Sequence, residues 1–337
     1  MQQQLNKPYL WSHSQIGASH IRKEKPNQDS VGTLSLVNGA VHILAVSDGH
    51  GSERYCRSQI GSQLAIKAAH HVCEEFFESL PTLSEIKTRL DIVVKRLVYR
   101  WREEVTAHWE RFPFSEAEEA LLKNPDKIHI AYGATLVIAV ITPKYAIYLQ
   151  LGDGDIVVID HEQRLFCPIA PESDVLGVET HSLCEEQSEK YCRIYSMNYE
   201  QMPHLVLLST DGYANSFANN SSFLDMVGQV YQKILQHGLG AILDILPTWI
   251  ADTTEQGSGD DISVALFSRA SFSPQTVIDT TATPKHQAHL IDIDKTNDIN
   301  QLTLTQKKQV IFSLGKSLVQ DLHHPLIALQ KRFFNKE

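Results

Sequence analysis

No stretch of the sequence is apolar for the ~20 residues that a bilayer-spanning helix needs. A basic surplus is also missing: 30 Lys and Arg stand against 40 Asp and Glu, for a formal net charge of −10. That balance argues against binding a nucleic-acid backbone and against an anionic membrane surface as the partner. Cysteine is sparse: Cys56, Cys73, Cys167, Cys184 and Cys192 are an odd number and include no CxxC pair. Scattered reduced thiols of this kind fit a cytoplasmic protein. The opening stretch MQQQLNKPYLWSHSQ lacks the charged-then-apolar layout of a signal peptide, which gives the same expectation. There are no internal repeats. What remains is ordinary globular material, 42% hydrophobic and 21% charged over 337 residues, enough for one large core or two modest ones.

The local pattern alternates between strand and helix. Ser30–Val37 and Val41–Val46 flank Asn38-Gly39, the strongest short hairpin signal in a sequence. Such a hairpin places Asp29, before the first strand, and Asp48, after the second, at one sheet edge. From Ser52 the period changes, and Ile60, Leu64, Ile66, Ala68, Val72, Phe76 and Phe77 predict a long amphipathic helix that ends before Pro81. A second helix is expected from about Ser84 through Trp101, followed by a helix end and surface loop over 103–127. Gly133–Ile141, Tyr145–Leu151 and Asp155–Asp160 then read as an antiparallel meander with very short turns. Residues 161–200 have no clear period. His204–Leu208 is a further strand, 223–246 a helical stretch, and Ile262–Phe267 the last strand. Ser271–Asn300 is rich in Thr, Pro, His and Asp and looks like a linker. Beyond it, Val310, Ile311, Leu314, Leu318 and Leu322 share one helical face. These shifts divide the chain into 1–269, a linker 270–301 and a helical tail 302–337. The tail either packs on its own domain or docks a partner, in an autoinhibitory or recruiting role.

Four acidic sites share one layout. Asp48 follows VHILAVS, Asp153 follows YAIYLQLG, Asp211 follows HLVLLST, and Asp260 with Asp261 precedes ISVALF. Each joins an apolar strand to an Asp with Gly close by. A single such site is an ordinary turn. Four together are not, since turns do not demand Asp each time. Carboxylates gathered at one edge repel unless a cation sits among them. Oxygen donors without Cys or His pairs point to a hard cation, Mg²⁺ or Mn²⁺, and more than three carboxylates allow two ions to share a bridging ligand.

Asn27-Gln28-Asp29, Asp48-Gly49-His50-Gly51, Gly133-Ala134-Thr135-Leu136, Gly152-Asp153, Thr210-Asp211-Gly212 and Asp260-Asp261-Ile262-Ser263 follow one another in the order and rough spacing of the metal-dependent protein phosphatases. Over residues 10–268 the chain resembles that family, known as PPM or type 2C, in its bacterial-type branch. The resemblance implies an α+β fold of two packed antiparallel sheets flanked by helices. It implies that Asp48 bridges two Mg²⁺ or Mn²⁺ ions, with the Gly49 carbonyl, Asp211 and Asp260 completing their shells. Asp153 would help hold a third ion, and Asp29 belongs to the same acidic set. Asp48 and His50 would then be catalytic, with His50 as general acid and a metal-activated water as nucleophile. The implied substrate is a phosphoserine or phosphothreonine protein, one that a Ser/Thr kinase has modified, or such a kinase itself.

Several positions depart from the family pattern. Gln28 stands where Glu is frequent, and Glu24 where a phosphate-binding Arg is usual. Arg22 is the replacement chosen, since guanidinium suits bidentate phosphate contact, with Lys23 and Lys25 as substitutes. Ser52 replaces a glycine and is placed to cap the following helix. Ser19-His20 before PNQD resembles a version of the first motif with a His and a longer loop. His20, Gln28 and Asp261 are therefore candidates to stand behind the metal ligands and orient them, His20 being equally a plain loop histidine. Residues 161–200 correspond to a variable flap beside the family's site, and Cys184 and Cys192 there are read as ordinary thiols. Gln28 and the displaced Arg22 keep open a second function: a regulatory or binding module that retains the fold with weak or no turnover. Hydrolysis of a small phosphoester is a third.

Overall fold

The computed structural model describes residues 8–122, 124, 127–170 and 180–269. The linker and tail expected over 270–337 lie outside the described residues. Two five-stranded antiparallel sheets form the centre. One has the order β1 (Tyr9–Gln15), β10 (Ile262–Ser268), β9 (Leu205–Ser209), β6 (Asp155–Ile159), β7 (Leu165–Phe166). The other has the order β2 (Ser30–Leu36), β3 (Val41–Ser47), β4 (Leu136–Ile141), β5 (Tyr145–Leu151), β8 (Arg193–Asn198).

Every residue of β3, β4, β5, β9 and β10 is buried, which is why these strands read as continuous apolar runs rather than alternating ones. The two-residue period sorts their side chains into separate cores. Leu44, Val46, Val137, Ala139 and Tyr148 meet Ile156, Val158, Val206, Leu208 and Phe267 between the sheets. The opposite faces, with Ile43, Ala45, Ile138 and Ile147, pack on α2 (Ser58–Phe77) and α4 (Leu90–Arg111). Val157, Leu207, Val264 and Leu266 pack on α7 (Asn220–His237) and α8 (Leu239–Gln256). Each fully buried Leu, Ile or Phe contributes on the order of 1.5–3 kcal/mol, so these three layers carry the fold. The expected α+β sandwich of two sheets between helices is present.

The hairpin register matches the expectation, with Ser30 opposite Ser47 and Leu36 opposite Val41. Its turn needs backbone in the left-handed region, with φ of 53° at Asn38 and 82° at Gly39. Several element assignments differ from the sequence reading. The meander does not continue into β6, which leaves β5's sheet and pairs with β9 in the other, so Gly152–Gly154 is a crossover between sheets. The first long helix starts at Ser58, after a separate 3-10 turn at Glu53–Tyr55, and Ser52 makes no side-chain cap. The second is broken into a short α3 (Leu83–Lys87), capped by Thr82 and Glu85, and α4, which runs on to Arg111. Ser115 and Glu118 form a further capping box that starts α5 (Glu116–Leu121) in the expected loop. The stretch 223–246 is two helices divided at Gly238, whose φ is 88°. Strands β1 and β8 are edge strands with little burial contrast, and neither was expected. All five cysteines are free.

Candidate metal centre

The C-terminal ends of β3, β5 and β9 and the N-terminal ends of β2, β6 and β10 meet at one end of the sandwich. Antiparallel pairing forces this: Ser30 faces Ser47, Asp155 faces Ser209, and Val264 faces Ser209 as well. Asp48, Asp153 and Asp211 converge there, each offering a carboxylate oxygen such that all three lie within 4.8 Å of one another. They line a cavity of about 390 Å³ together with Gly49, His50, Gly51, Gln28, His20, Lys23, Lys25, Asp260 and Asp261.

Each carboxylate is held by the turn that delivers it. The loop after β3 is stitched to Gly133–Thr135. The Thr135 hydroxyl oxygen accepts from Asp48 N at 3.0 Å, while Thr135 N donates to the Asp48 carbonyl at 2.8 Å. His50 N donates to the Gly133 carbonyl at 3.1 Å. A Cβ at Gly49 would stand 2.6 Å from the Gln28 carbonyl and 2.7 Å from that of Ser58, so only glycine permits this approach. Asp211 opens the single-turn helix α6 (Asp211–Ala214), and the Asn215 amide donates to its Oδ2 at 3.0 Å. A Cβ at Gly212 would lie 2.2 Å from the Asp261 carbonyl, which explains the glycine between these two motifs. Asp153 accepts from the Thr180 hydroxyl at 2.5 Å, so the described start of the 180–192 segment reaches the acidic cluster.

The electrostatics call for a cation. Burial, followed by the charge of Asp29, Asp211 and Asp153, holds the Asp48 carboxyl well above the usual carboxylate range. Burial and then Asp153 push Asp211 up to about 6, and the carboxyls of Asp48 and Asp211 hydrogen-bond one another. Asp155 is pushed up to about 7 by burial, then by Asp211 and Asp153. Gln28 Oε1, in the cavity wall, is buried with no hydrogen-bond partner among the described residues. Convergent oxygens, repelling carboxylates and an orphaned amide oxygen fit hard divalent ions.

The other expected site residues are placed as follows. Asp260 lines the cavity with its side chain 53% exposed. Asp261 is buried and accepts from the amides of Gly17 and Gln28, both at 2.6 Å. Burial raises its pKa, and those two donors oppose the rise. Gln28 donates through Nε2 to Ser58 Oγ and to the His50 carbonyl. His50 packs on Tyr55, with ring centroids 4.7 Å apart. Asp29 does not line the cavity; it is buried behind it, where the Thr210 hydroxyl donates to its Oδ2 at 2.6 Å. Arg22 is exposed and also does not line it: the cationic lining residues are Lys23 and Lys25. The five-residue α1 (Ala18–Arg22) ends at Arg22; Lys23 and Lys25 beyond it line the cavity, and a guanidinium nitrogen of Arg22 lies near Gly259, between the lining residues Ser258 and Asp260. Asp155 was missed as a site residue. Its one signal was the Gly-Asp-Gly-Asp run, where the second Asp begins β6 beside the first. Thr180 and Tyr55 carried no sequence signal.

The sequence matches the family described as protein phosphatase 2C over residues 16–250. No curated protein sequence matches it. Among solved structures, the catalytic domain of the serine/threonine protein phosphatase PstP in complex with two manganese ions is similar, at 15% identity and a TM-score of 0.52, covering 77% of this chain and 97% of that one. The Mycobacterium tuberculosis serine/threonine phosphatase PstP/Ppp gives 14%, 0.51, 77% and 98%. Staphylococcus aureus serine/threonine phosphatase Stp1 gives 13%, 0.51, 77% and 94%. At these identities the likeness is one of fold.

Proposed function

The chain belongs to the protein phosphatase 2C family, and we propose on that premise that it is a Mg²⁺- or Mn²⁺-dependent phosphatase of phosphoserine and phosphothreonine in proteins, opposing a Ser/Thr kinase. The observation that carries this reading is the meeting of the Asp48, Asp153 and Asp211 carboxylates within 4.8 Å, in a cavity lined also by two lysines and His50. Asp48, the Gly49 carbonyl, Asp211 and Asp260 would hold two ions, and Asp153 a third. When bound, the ions supply Lewis acidity, activating the nucleophile and neutralising charge on the phosphoryl oxygens.

The chain's own groups do the rest. Lys23 and Lys25 meet the phosphoryl group at the cavity mouth. His50 donates a proton to the departing serine or threonine oxygen, which is too basic to leave as an alkoxide. Tyr55 fixes the plane of that imidazole, and the Gln28 and Gly133 contacts fix the backbone that carries it. Thr180, bonded to Asp153, stands at the cavity wall where it influences which phosphorylated residues enter.

The test is turnover of p-nitrophenyl phosphate and of phosphoserine and phosphothreonine peptides, with Mn²⁺, Mg²⁺ or a chelator. Metal-dependent turnover of the peptides is expected. Wild-type protein without metal-dependent activity, or Asp211→Ala with unchanged activity, would overturn the proposal. Turnover of p-nitrophenyl phosphate alone would move the substrate to small phosphoesters.

A further inference from the structure

A cavity of about 120 Å³ opens at the end of the sandwich opposite the acidic cluster, between the β6–β7 turn and the chain that follows β8. Its walls are Tyr148 on β5, Val158 on β6, Met197 on β8, and Tyr199 and Pro203 beyond that strand. Strands β5 and β6 are the two that the Gly152–Gly154 crossover joins, so the cavity and the cluster occupy opposite ends of one strand pair. The two sites share no lining residue.

The Tyr148 side chain is fully buried, and its hydroxyl has no hydrogen-bond partner among the described residues. Burial pushes its pKa up, so the group keeps its proton and offers a donor. A trapped water is a poor partner, because a buried water needs about two to four polar contacts. The buried walls Val158 and Pro203 are apolar, and the Tyr199 hydroxyl is committed to the carbonyls of Thr142 and Tyr145.

The other walls narrow the choice of ligand. Two tyrosine rings, a thioether and a proline ring suit an aromatic molecule. A dry cavity of ~150 Å³ takes up benzene, so this one holds a single six-membered ring and little more. At the mouth, Asp160 accepts from Arg164 Nε at 2.8 Å and from the amides of Glu162 and Arg164, both at 2.9 Å. Arg164 Nη1 lies 2.8 Å from Glu162 Oε2. With those charges already paired, a neutral ligand is favoured over an ion.

We propose that this cavity binds a small neutral molecule with one aromatic ring, whose hydrogen-bond acceptor meets the Tyr148 hydroxyl. The inference is independent of the phosphatase reading above.

The test compares pyridine, one ring with one acceptor, with benzene, the same ring without it, at a pH where pyridine is neutral and with Mg²⁺ present. The chain has 4 methionines, so labelling their methyl groups with ¹³C gives few signals. Met197 reports from the cavity wall, and Met226, beside Tyr213, is the control. Saturable binding of pyridine is expected to move the Met197 signal and leave that of Met226 in place, with benzene binding more weakly. Tyr148→Phe is expected to weaken pyridine binding roughly three- to tenfold and to leave benzene binding unchanged. The same variant is expected to melt no lower than wild type, since the hydroxyl it removes is unsatisfied. No saturable shift at Met197, equal affinity for the two probes, or unchanged pyridine affinity in Tyr148→Phe overturns the proposal. A lower midpoint for Tyr148→Phe shows that a water already satisfies the hydroxyl, and overturns it as well. None of these readouts involves metal-dependent turnover, so failure here leaves the phosphatase reading standing.

Discussion

The side-chain amide of Gln28 donates to the main-chain carbonyl of His50 at 3.3 Å, across the hairpin that brings β2 and β3 to the site. The same Nε2 donates to Ser58 Oγ at 2.5 Å, so one amide ties the His50 loop to the first turn of α2. A carboxylate here has no proton to give. The amide is thus a structural requirement of this loop, and the change from the family's frequent Glu is not by itself a sign of lost activity.

Gln28→Glu is accordingly expected to destabilise the metal-free protein. It sets an acceptor against the His50 carbonyl and adds charge to an already crowded acidic cluster. Loss of a buried donor costs about 1–3 kcal/mol, and each kcal/mol lowers the midpoint by roughly 2–4 °C in a domain of this size. Thermal melts in chelator check this, and an unchanged midpoint would show that the amide is not used as a donor.

Asp211→Asn keeps the shape of the side chain and removes one of the three convergent carboxylates. Turnover with Mn²⁺ is expected to fall at least about hundredfold, since the ions supply several kcal/mol of charge stabilisation. Without Mn²⁺ the variant is expected to melt higher than wild type, because a buried repelling charge is gone. Opposite movements of activity and stability mark a functional carboxylate; a parallel fall in both would make Asp211 a structural one.

Lys23 and Lys25 line the cavity, and Arg22 does not. Replacing both lysines by alanine is expected to raise KM for a phosphopeptide roughly tenfold with a smaller change in kcat, as loss of charge-assisted contacts worth about 1.5 kcal/mol requires. Arg22→Ala is expected to leave KM unchanged. The lysine contribution is expected to shrink as salt is raised, since these residues are exposed. Steady-state kinetics at two ionic strengths distinguishes the two assignments.

The central strands were legible because both faces of each are covered, so Val41–Ser47, Leu136–Ile141 and Tyr145–Leu151 are apolar throughout. The acidic ends of those strands were legible for the same reason, each Asp being set off sharply by the run before it. Strand β8 was not, because its outer residues Ile194 and Tyr195 remain 39% and 40% exposed, and an edge strand needs no strict pattern. The step of β6 into the second sheet is invisible locally, since a Gly-Asp-Gly crossover and a tight hairpin have the same composition. Arg22, expected from spacing to meet the phosphate, lies outside the cavity lining, which Lys23 and Lys25 supply, because α1 ends before those two residues. Asp29 obeyed the motif but faces Thr210, a partner 181 residues away in the chain.

Asp155 gives a pH prediction with a definite sign. Its carboxyl is raised from 3.8 to about 7 by burial and by Asp211 and Asp153. Below pH 3.8 both folded and unfolded chains carry the proton and Asp155 imposes no penalty. Between 3.8 and about 7 the folded chain keeps a proton that the unfolded chain has released, so stability falls as pH rises, and the full penalty stands above 7. Asp155→Asn removes the titration. In chelator, the midpoint of the variant minus that of wild type is therefore expected to be near zero at pH 4 and to grow to several degrees at pH 8, a shift of this size being worth on the order of 2–4 kcal/mol. The difference, taken at each pH, cancels the carboxylates that do not interact with Asp155. With saturating Mn²⁺ a cation takes the place of the proton among the neighbouring carboxylates, so the pH dependence of the difference is expected to flatten. A midpoint difference that is constant from pH 4 to pH 8 in chelator would mean that Asp155 is ionised in the folded chain throughout and stands apart from the Asp153–Asp211 field.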